Sequence, residues 1–464
     1  MRRSDCLKNL GYNLRTNEGM MTRKLGFFSS LTLLLVVASF SAALERQPNA
    51  DYRARREALA QRAVGVVVLF APLEAGDDVY GFRQEDNFFY LSGVTEPGAA
   101  LLIASAAEAK GEASAQPYTE ILFLPPRNLT QEKWLGPKLG PENPNATQIT
   151  GFDRVEEIGK LPDELERMIS GAFPTIYTDV PAQGESPSTT ALAFLKRLNT
   201  MLSYHDVKPM LSSLRTVKDS GEMALLRKAV DASVAAHFAA FRTVKPNVNE
   251  REISALMQYE WGKRGCERPA YAPIVGSGFY STVLHYSQDS NTMKAGDVVV
   301  IDAAGEYSMY DADITRTLPI GGHFTPRQRE IYDIVLGAQQ AAAAAFQSGK
   351  STLKRGSDAN SLYKVAYDYI NSHGKDLHGQ PLGKYFIHGL GHYIGLNVHD
   401  PGDYEVALGP GMAFTIEPGI YIPEESLGVR IEDDFYVDAG GKLINLSGAL
   451  PSKAEDVEKA MAGK

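Results

Sequence analysis

Along the first two hundred residues, strand-length apolar runs alternate with stretches of helical period. Residues 52–61 place apolar positions at helical spacing on a basic, amphipathic segment, and 64–70 (VGVVVLF) is an apolar run broken only by Gly65. Two further runs, 99–104 (AALLIA) and 120–124 (EILFL), read as buried strands separated by a soft Ala/Gly/Ser loop at 105–118. Between them in pattern, 82–93 (FRQEDNFFYLSG) reads as aromatics and turns, and the Pro/Gly-rich stretch from Trp134 to Pro144 as a surface loop. This alternation predicts a mixed α/β domain over 50–205.

The pattern changes after residue 212. Asp219 with Glu222 three positions on has the form of a capping box and starts a helix to about Val244; Asn249 with Glu252 starts a second that ends near Gly265. Residues 297–303 (DVVVIDA) and 309–317 (MYDADITRT) then fold about Tyr307 and Ser308 into a hairpin that sets Asp302 across from Asp313. The order recurs. Thr325-Pro326 with Gln328 caps a helix through the alanines at 341–345, and a helix from about Ser357 to His373 follows. Residues 412–417 (MAFTIE) then fold onto 428–435 (GVRIEDDF) about Glu424 and Glu425, setting Glu417 across from Glu432. Two helices and a hairpin, twice over, predict an internal duplication across 212–450, with coincidence in a long α/β domain as the alternative. The expected fold class is α/β of the α+β kind: an N-terminal mixed domain, then a C-terminal domain of pseudo-twofold helix-helix-hairpin halves.

Like charges directly opposite on a sheet repel, and burying them unpaired costs several kcal/mol each. Two such pairs call for a cation between them. Four carboxylates carry four negative charges, which two divalent cations neutralise, and His392 in the stretch HGLGHYIGLNVHD (388–400) adds a neutral nitrogen donor. Oxygen-rich sites with one imidazole suit Mn²⁺, Co²⁺, Fe²⁺ or Zn²⁺. The implied chemistry is metal-assisted hydrolysis.

Composition narrows the rest. A chain of 464 residues with 44% hydrophobic and 22% charged positions is ordinary globular protein in two or three domains. Its net charge of −9 and pI near 5.6 lack the basic footprint of a nucleic-acid binder. At the N-terminus, Met20-Met21-Thr22-Arg23-Lys24 precedes a mostly apolar run from Leu25 to Phe40 and then Ser41-Ala42-Ala43, the form of a signal peptide cleaved after Ala43. The run, interrupted by Ser29, Ser30 and Thr32, is marginal for a span of about 20 residues, which favours export to a periplasm or the exterior over membrane anchoring. Residues 1–19 read as an extended leader or an upstream start, so 1–43 belongs to no domain. Of Cys6 and Cys266 only the second outlasts cleavage, which excludes an internal disulfide; Cys266 reads as a small buried hydrophobe.

Taken together, IDAAGEY (301–307) with ADITRT eleven positions on, HGLGHYIGLNVHD, TIEPGIY, VRIEDD and LHY at 284–286 resemble the proline-specific metallopeptidases of the aminopeptidase P and Xaa-Pro dipeptidase family. Upstream, FRQEDNFFYLSG followed by EPGA resembles that family's N-terminal domain, so the likeness covers roughly 50–450. The resemblance implies a C-terminal "pita-bread" domain. It also implies that Asp302 holds one metal, that His392 and Glu417 hold the other, and that Asp313 and Glu432 bridge them. A hydroxide between metals about 3.5–4 Å apart is then the nucleophile. Among metals Mn²⁺ comes first, with Zn²⁺, Co²⁺ and Fe²⁺ as alternatives. His285, His388 and His399 match the family's site histidines, suited to hydrogen-bonding substrate and oxyanion. Arg430, two residues before Glu432 on one strand face, is placed to orient the carboxylates or Tyr421.

The implied substrates are short proline-containing peptides, cut after the N-terminal residue, with no nucleic acid and no stable membrane insertion after signal cleavage. A dimer or tetramer, the N-terminal domain capping a neighbour's site, is within the same implication. Phe279-Tyr280 after Gly276-Ser277-Gly278, where many relatives have Asn, and Asn397 in place of a common Asp bear on subsite preference. Rival readings are a dipeptidase confined to Xaa-Pro dipeptides and, on the same scaffold, a metal-free binding protein or creatinase-like hydrolase, both disfavoured because all five ligand positions are filled.

Overall fold

The computed structural model describes residues 44–74, 79–105, 118–171, 175–180 and 203–463. The leader and signal segment expected over 1–43 fall outside the described residues, as does most of the soft loop expected at 105–118. Among the described residues no helix is long and apolar enough to cross a membrane.

The N-terminal domain is built on a six-stranded mixed sheet. Its strands are β1 (Val66–Phe70), β2 (Ala100–Ser105), β3 (Tyr118–Leu124), β4 (Arg154–Glu157), β5 (Thr175–Thr178) and β6 (Ser203–Asp206), in the order β4-β3-β2-β1-β5-β6. Strands β1, β2 and β3 pair antiparallel; β4, β5 and β6 join parallel. The apolar runs of the sequence are these central strands, buried on both faces, which is why they lack strand alternation. One expectation is met and one changes. The basic, amphipathic helix forms over Asn49–Ala60, with Arg56 fully buried against Glu120 (Nε to Oε2 2.6 Å) and Arg55 reaching Asp219. The stretch expected as turns contains a helix, Asp86–Ser92. Glu85 caps it by accepting from the Asn87 and Phe88 amides, and Gly93 ends it at φ 60°.

In the C-terminal domain the expected caps form. Asp219 and Glu222 make a reciprocal capping box on the helix Ser220–Thr243, Asn249 and Glu252 on Glu250–Gly262, and Thr325 and Gln328 on Pro326–Ala345. The fourth helix, Leu362–Ser372, starts later than expected because the Ser361 hydroxyl caps it at the Lys364 amide. The strands are β7 (Arg268–Pro269), β8 (Ile274–Ser277), β9 (Val298–Asp302), β10 (Gly305–Tyr307), β11 (Tyr310–Asp311) and β12 (Thr315–Pro319) in the first half. The second half holds β13 (Ala413–Ile416), β14 (Gly419–Ile422), β15 (Leu427–Arg430), β16 (Asp433–Val437) and β17 (Leu443–Asn445). The four helices pack over both hairpins in one continuous core, the two-halved pita-bread arrangement.

The first hairpin departs from the expected register. Its tip pairs Tyr307 with Tyr310 around Ser308 and Met309, whose φ values of 48° and 73° fit a type I′ turn, and Asp302 stands opposite Thr315 rather than Asp313. The slip is two residues. Side chains alternate with period two, so a two-residue slip keeps the face and both carboxylates still reach one cavity. In the second hairpin Ile416 faces Asp433 and Gly419 faces Arg430, which puts Glu417 and Glu432 on one rung as expected. Here the ladder is interrupted. The Glu432 amide donates instead to the Thr315 carbonyl (3.1 Å), stitching the second hairpin to the first.

Candidate metal centre

Segment 390–393 brings the histidine to the carboxylates. It runs beside β13, with the Thr415 amide donating to the His392 carbonyl and the Glu417 amide to the Leu390 carbonyl, both at 2.8 Å. A Cβ on Gly391 would lie 2.0 Å from the Thr415 carbonyl oxygen, so only glycine allows this approach. His392 Nε2 then stands 3.2 Å from Asp313 and 3.5 Å from Glu417.

Asp313, His392 and Glu432 each offer a donor atom within 4.8 Å of the others. Glu417 and Asp302 flank this trio, and all five expected ligands line one cavity of about 840 Å³. Asp302 accepts from the Tyr271 hydroxyl (2.6 Å) and the Arg430 guanidinium. Glu432 Oε2 accepts from the Thr315 hydroxyl (2.6 Å), but Glu432 Oε1 and Asp313 Oδ1 are buried with no partner.

The electrostatics agree with the geometry. Burial pushes the Glu417 carboxyl up to about 7, against the opposing His392 and with the help of Asp313 and Asp302, and burial with neighbouring carboxylates holds Asp313 and Glu432 above the usual carboxylate range. Burial pushes His392 down, yet its bond to Asp313 and the charges of Glu417 and Asp313 outweigh this and bring it up to about 9. The site attracts positive charge. Orphaned buried oxygens, four carboxylates and one imidazole are a donor set that fits divalent cations.

His388 is half-buried, with Nδ1 2.8 Å from the Gly389 carbonyl and Nε2 2.8 Å from the Tyr421 hydroxyl; burial, then Arg430, pushes it down to about 3. Arg430 donates to Tyr421 (2.9 Å) and to the Thr315 hydroxyl as well as to Asp302. His399 packs edge-on against His392 at 4.2 Å, and it and His285 open to the cavity. Tyr421 is buried behind the wall.

Several contributors escape a reading by sequence. Tyr271 comes from a loop with no local signal, and buried His237 places Nε2 3.0 Å and 3.1 Å from the Ala303 and Ile314 carbonyls, one residue after each aspartate. Asp434 holds the Asp313 amide (3.1 Å). Thr315 had a signal: it lies two residues beyond Asp313, hence on the same face.

Comparison with known proteins places this geometry in context. Residues 224–439 match the model of metallopeptidase family M24, and 52–177 that of the aminopeptidase P N-terminal domain. The chain is 33% identical over 446 residues to a Xaa-Pro aminopeptidase of Haemophilus influenzae, covering 90% of this chain and 99% of that one. It is 32% identical to a Xaa-Pro aminopeptidase of Escherichia coli, covering 89% and 97%. Among solved structures it is similar to zinc-substituted Escherichia coli aminopeptidase P in complex with product, with a TM-score of 0.77 and 29% identity over 90% of this chain and 99% of that chain.

Proposed function

Because the chain belongs to metallopeptidase family M24 and carries the aminopeptidase P N-terminal domain, a hydrolase of the Xaa-Pro aminopeptidase type, we propose that it uses two divalent cations to remove the N-terminal residue from peptides with proline second. Asp302, Asp313, His392, Glu417 and Glu432 would hold the cations, with Asp313 and Glu432 shared between them. The observation that carries this is the pair of buried, partnerless oxygens on Asp313 and Glu432. When bound, the cations supply Lewis acidity and a water acidified to near neutrality as nucleophile.

The remaining steps belong to the chain's own side chains. Arg430 donates to the Tyr421 oxygen, Tyr421 donates its hydroxyl proton to His388 Nε2, and His388 Nδ1–H donates to the Gly389 carbonyl. Burial and the Arg430 charge keep His388 neutral, and this relay fixes its tautomer. His399, pushed down to about 4 by partial burial and the neighbouring His392, is likewise neutral and free to hydrogen-bond the substrate carbonyl. An Xaa-Pro bond has no amide hydrogen to satisfy, and Leu284, Leu353 and Val398 give the cavity apolar wall suited to a proline ring. Mn²⁺ heads the candidate metals, ahead of Zn²⁺, Co²⁺ and Fe²⁺. Export with cleavage after Ala43 is part of the proposal, and N-terminal sequencing of the mature protein tests it.

The main test is a panel of Xaa-Pro dipeptides, Xaa-Pro-Yaa tripeptides and longer peptides, assayed with each metal in turn alongside metal analysis. Release of the first residue from tripeptides and longer chains with two bound metals is expected. Activity confined to dipeptides would replace the reading with the dipeptidase, and a metal-free protein unresponsive to added Mn²⁺ or Zn²⁺ would replace it with a binding protein.

A further inference from the structure

Three lysine or arginine side chains line the cavity among the described residues, and they differ in what already neutralises them. Arg430 is committed to Asp302, Tyr421 and Thr315. Lys354 stands 3.3 Å from Glu405 and 3.4 Å from Asp358. Arg355 has no carboxylate within ion-pairing distance among the described residues; its guanidinium lies 5.6 Å from the centre of the Tyr363 ring. That ring stacks on Phe386 at 5.2 Å, and the edge of Phe386 meets His388 at 5.2 Å, so the guanidinium is carried on an aromatic support continuous with the catalytic wall. Its charge is felt there, helping to depress His388.

Charge accounting turns this into chemistry. Arg430 lies against Asp302 in the carboxylate cluster, and Lys354 has acidic partners of its own. Arg355 is left over. A peptide substrate brings an ammonium at its N-terminus and a carboxylate at its other end, and a guanidinium repels the first and attracts the second. A ring face under the guanidinium leaves its N–H edge open for a bidentate bond to a carboxylate.

We propose that Arg355 is a specificity-determining residue that binds a carboxylate on the part of the substrate downstream of proline. The proposal rests on the aminopeptidase reading above. The carboxylate has two sources, the C-terminus of a short peptide or an acidic side chain just beyond the proline. Because Arg355 is exposed, the preference is on the order of tenfold and weakens with salt.

The test uses the metal-loaded full-length enzyme and kcat/KM for four substrates: an Xaa-Pro-Ala tripeptide as free acid and as C-terminal amide, and amidated Xaa-Pro-Asp-Ala and Xaa-Pro-Asn-Ala. Wild type is expected to favour the free acid about tenfold, mainly through KM, with the ratio collapsing toward one in Arg355→Gln, surviving in Arg355→Lys and inverting in Arg355→Glu. A wild-type preference for Asp over Asn in the amidated pair, lost in Arg355→Gln, supports the proposal with the side chain as source. Equal rates within both pairs, or a preference that persists in Arg355→Gln, overturns it while leaving the aminopeptidase reading intact. Failure of wild type to cleave any of the four overturns that reading and the proposal together.

Discussion

Asp400 and Asp313 are both buried carboxylates of the peptidase domain, and their surroundings are opposite. Asp400 accepts from Arg215 at one oxygen and from Lys218 Nζ (2.8 Å) at the other, and although burial raises it, these two cations hold it below the usual carboxylate range. Asp313 has one oxygen near His392 and the other without a partner, and is pushed up. One carboxylate has its cations built into the chain. The other has only the His392 imidazole beside it and is crowded by carboxylates. This difference separates a structural clamp from a candidate metal site where burial alone does not. The clamp also reaches further, since Arg215 bonds Asn87 (2.8 Å), while Arg83 bonds Asp86 (2.7 Å) and the Leu396 carbonyl (2.6 Å). The N-terminal domain thereby holds the loop that presents His399.

The contrast can be broken in order of expected effect. Asp313→Ala should lower turnover by about 10⁴-fold, over 5 kcal/mol, and cut bound metal; wild-type turnover in that variant would remove Asp313 from the ligand set. Asp400→Asn should instead leave buried cations unpaired and cost about 3–5 kcal/mol, seen as an earlier chemical unfolding midpoint. His399→Ala should reduce kcat about 10²-fold while sparing the metal content, and loss of both metals there would contradict its assignment to the substrate side. Smaller, and opposite in sign to Asp400→Asn, is Asp313→Asn in chelator: it gives up the His392 contact but removes a buried charge crowded by Asp302 and Glu432, and should raise the unfolding free energy by about 1 kcal/mol. Equal signs for the two Asp→Asn variants would erase the distinction.

The pH dependence sharpens the same point. In metal-free protein Glu417 is raised from 4.5 to about 7 and His392 from 6.5 to about 9. Both bind protons more tightly folded than unfolded. The stability they give is full below the ordinary values and is lost as pH rises through the folded ones. Metal binding expels those protons, so the gain in melting temperature on adding Mn²⁺ should grow between about pH 5 and pH 8. A gain that shrinks over that range would mean the metal binds elsewhere.

Much of this was legible in the sequence where the signal is local. Capping boxes at Asp219, Asn249 and Thr325 are three-residue patterns, and Glu417 and Glu432 share a rung because Glu424 and Glu425 mark the middle of their hairpin. The first hairpin lies two residues off the register its pattern implies because Ser308 and Met309 take positive φ without the glycine or asparagine that advertises such a turn. The helix at Asp86–Ser92 was hidden because Glu85-Asp86-Asn87 doubles as turn chemistry and as an N-cap. Tyr271, His237 and the Arg215 clamp act across long sequence separations, where neither period nor spacing carries information.

Glu432 finds its backbone partner in Thr315, across the boundary between the two repeats. Ownership of the centre is therefore divided: a cut at the exposed turn by Gly321 would leave Asp302 and Asp313 on one fragment and His392, Glu417 and Glu432 on the other. Neither piece carries a complete donor set, so turnover could return only when the two fragments are recombined.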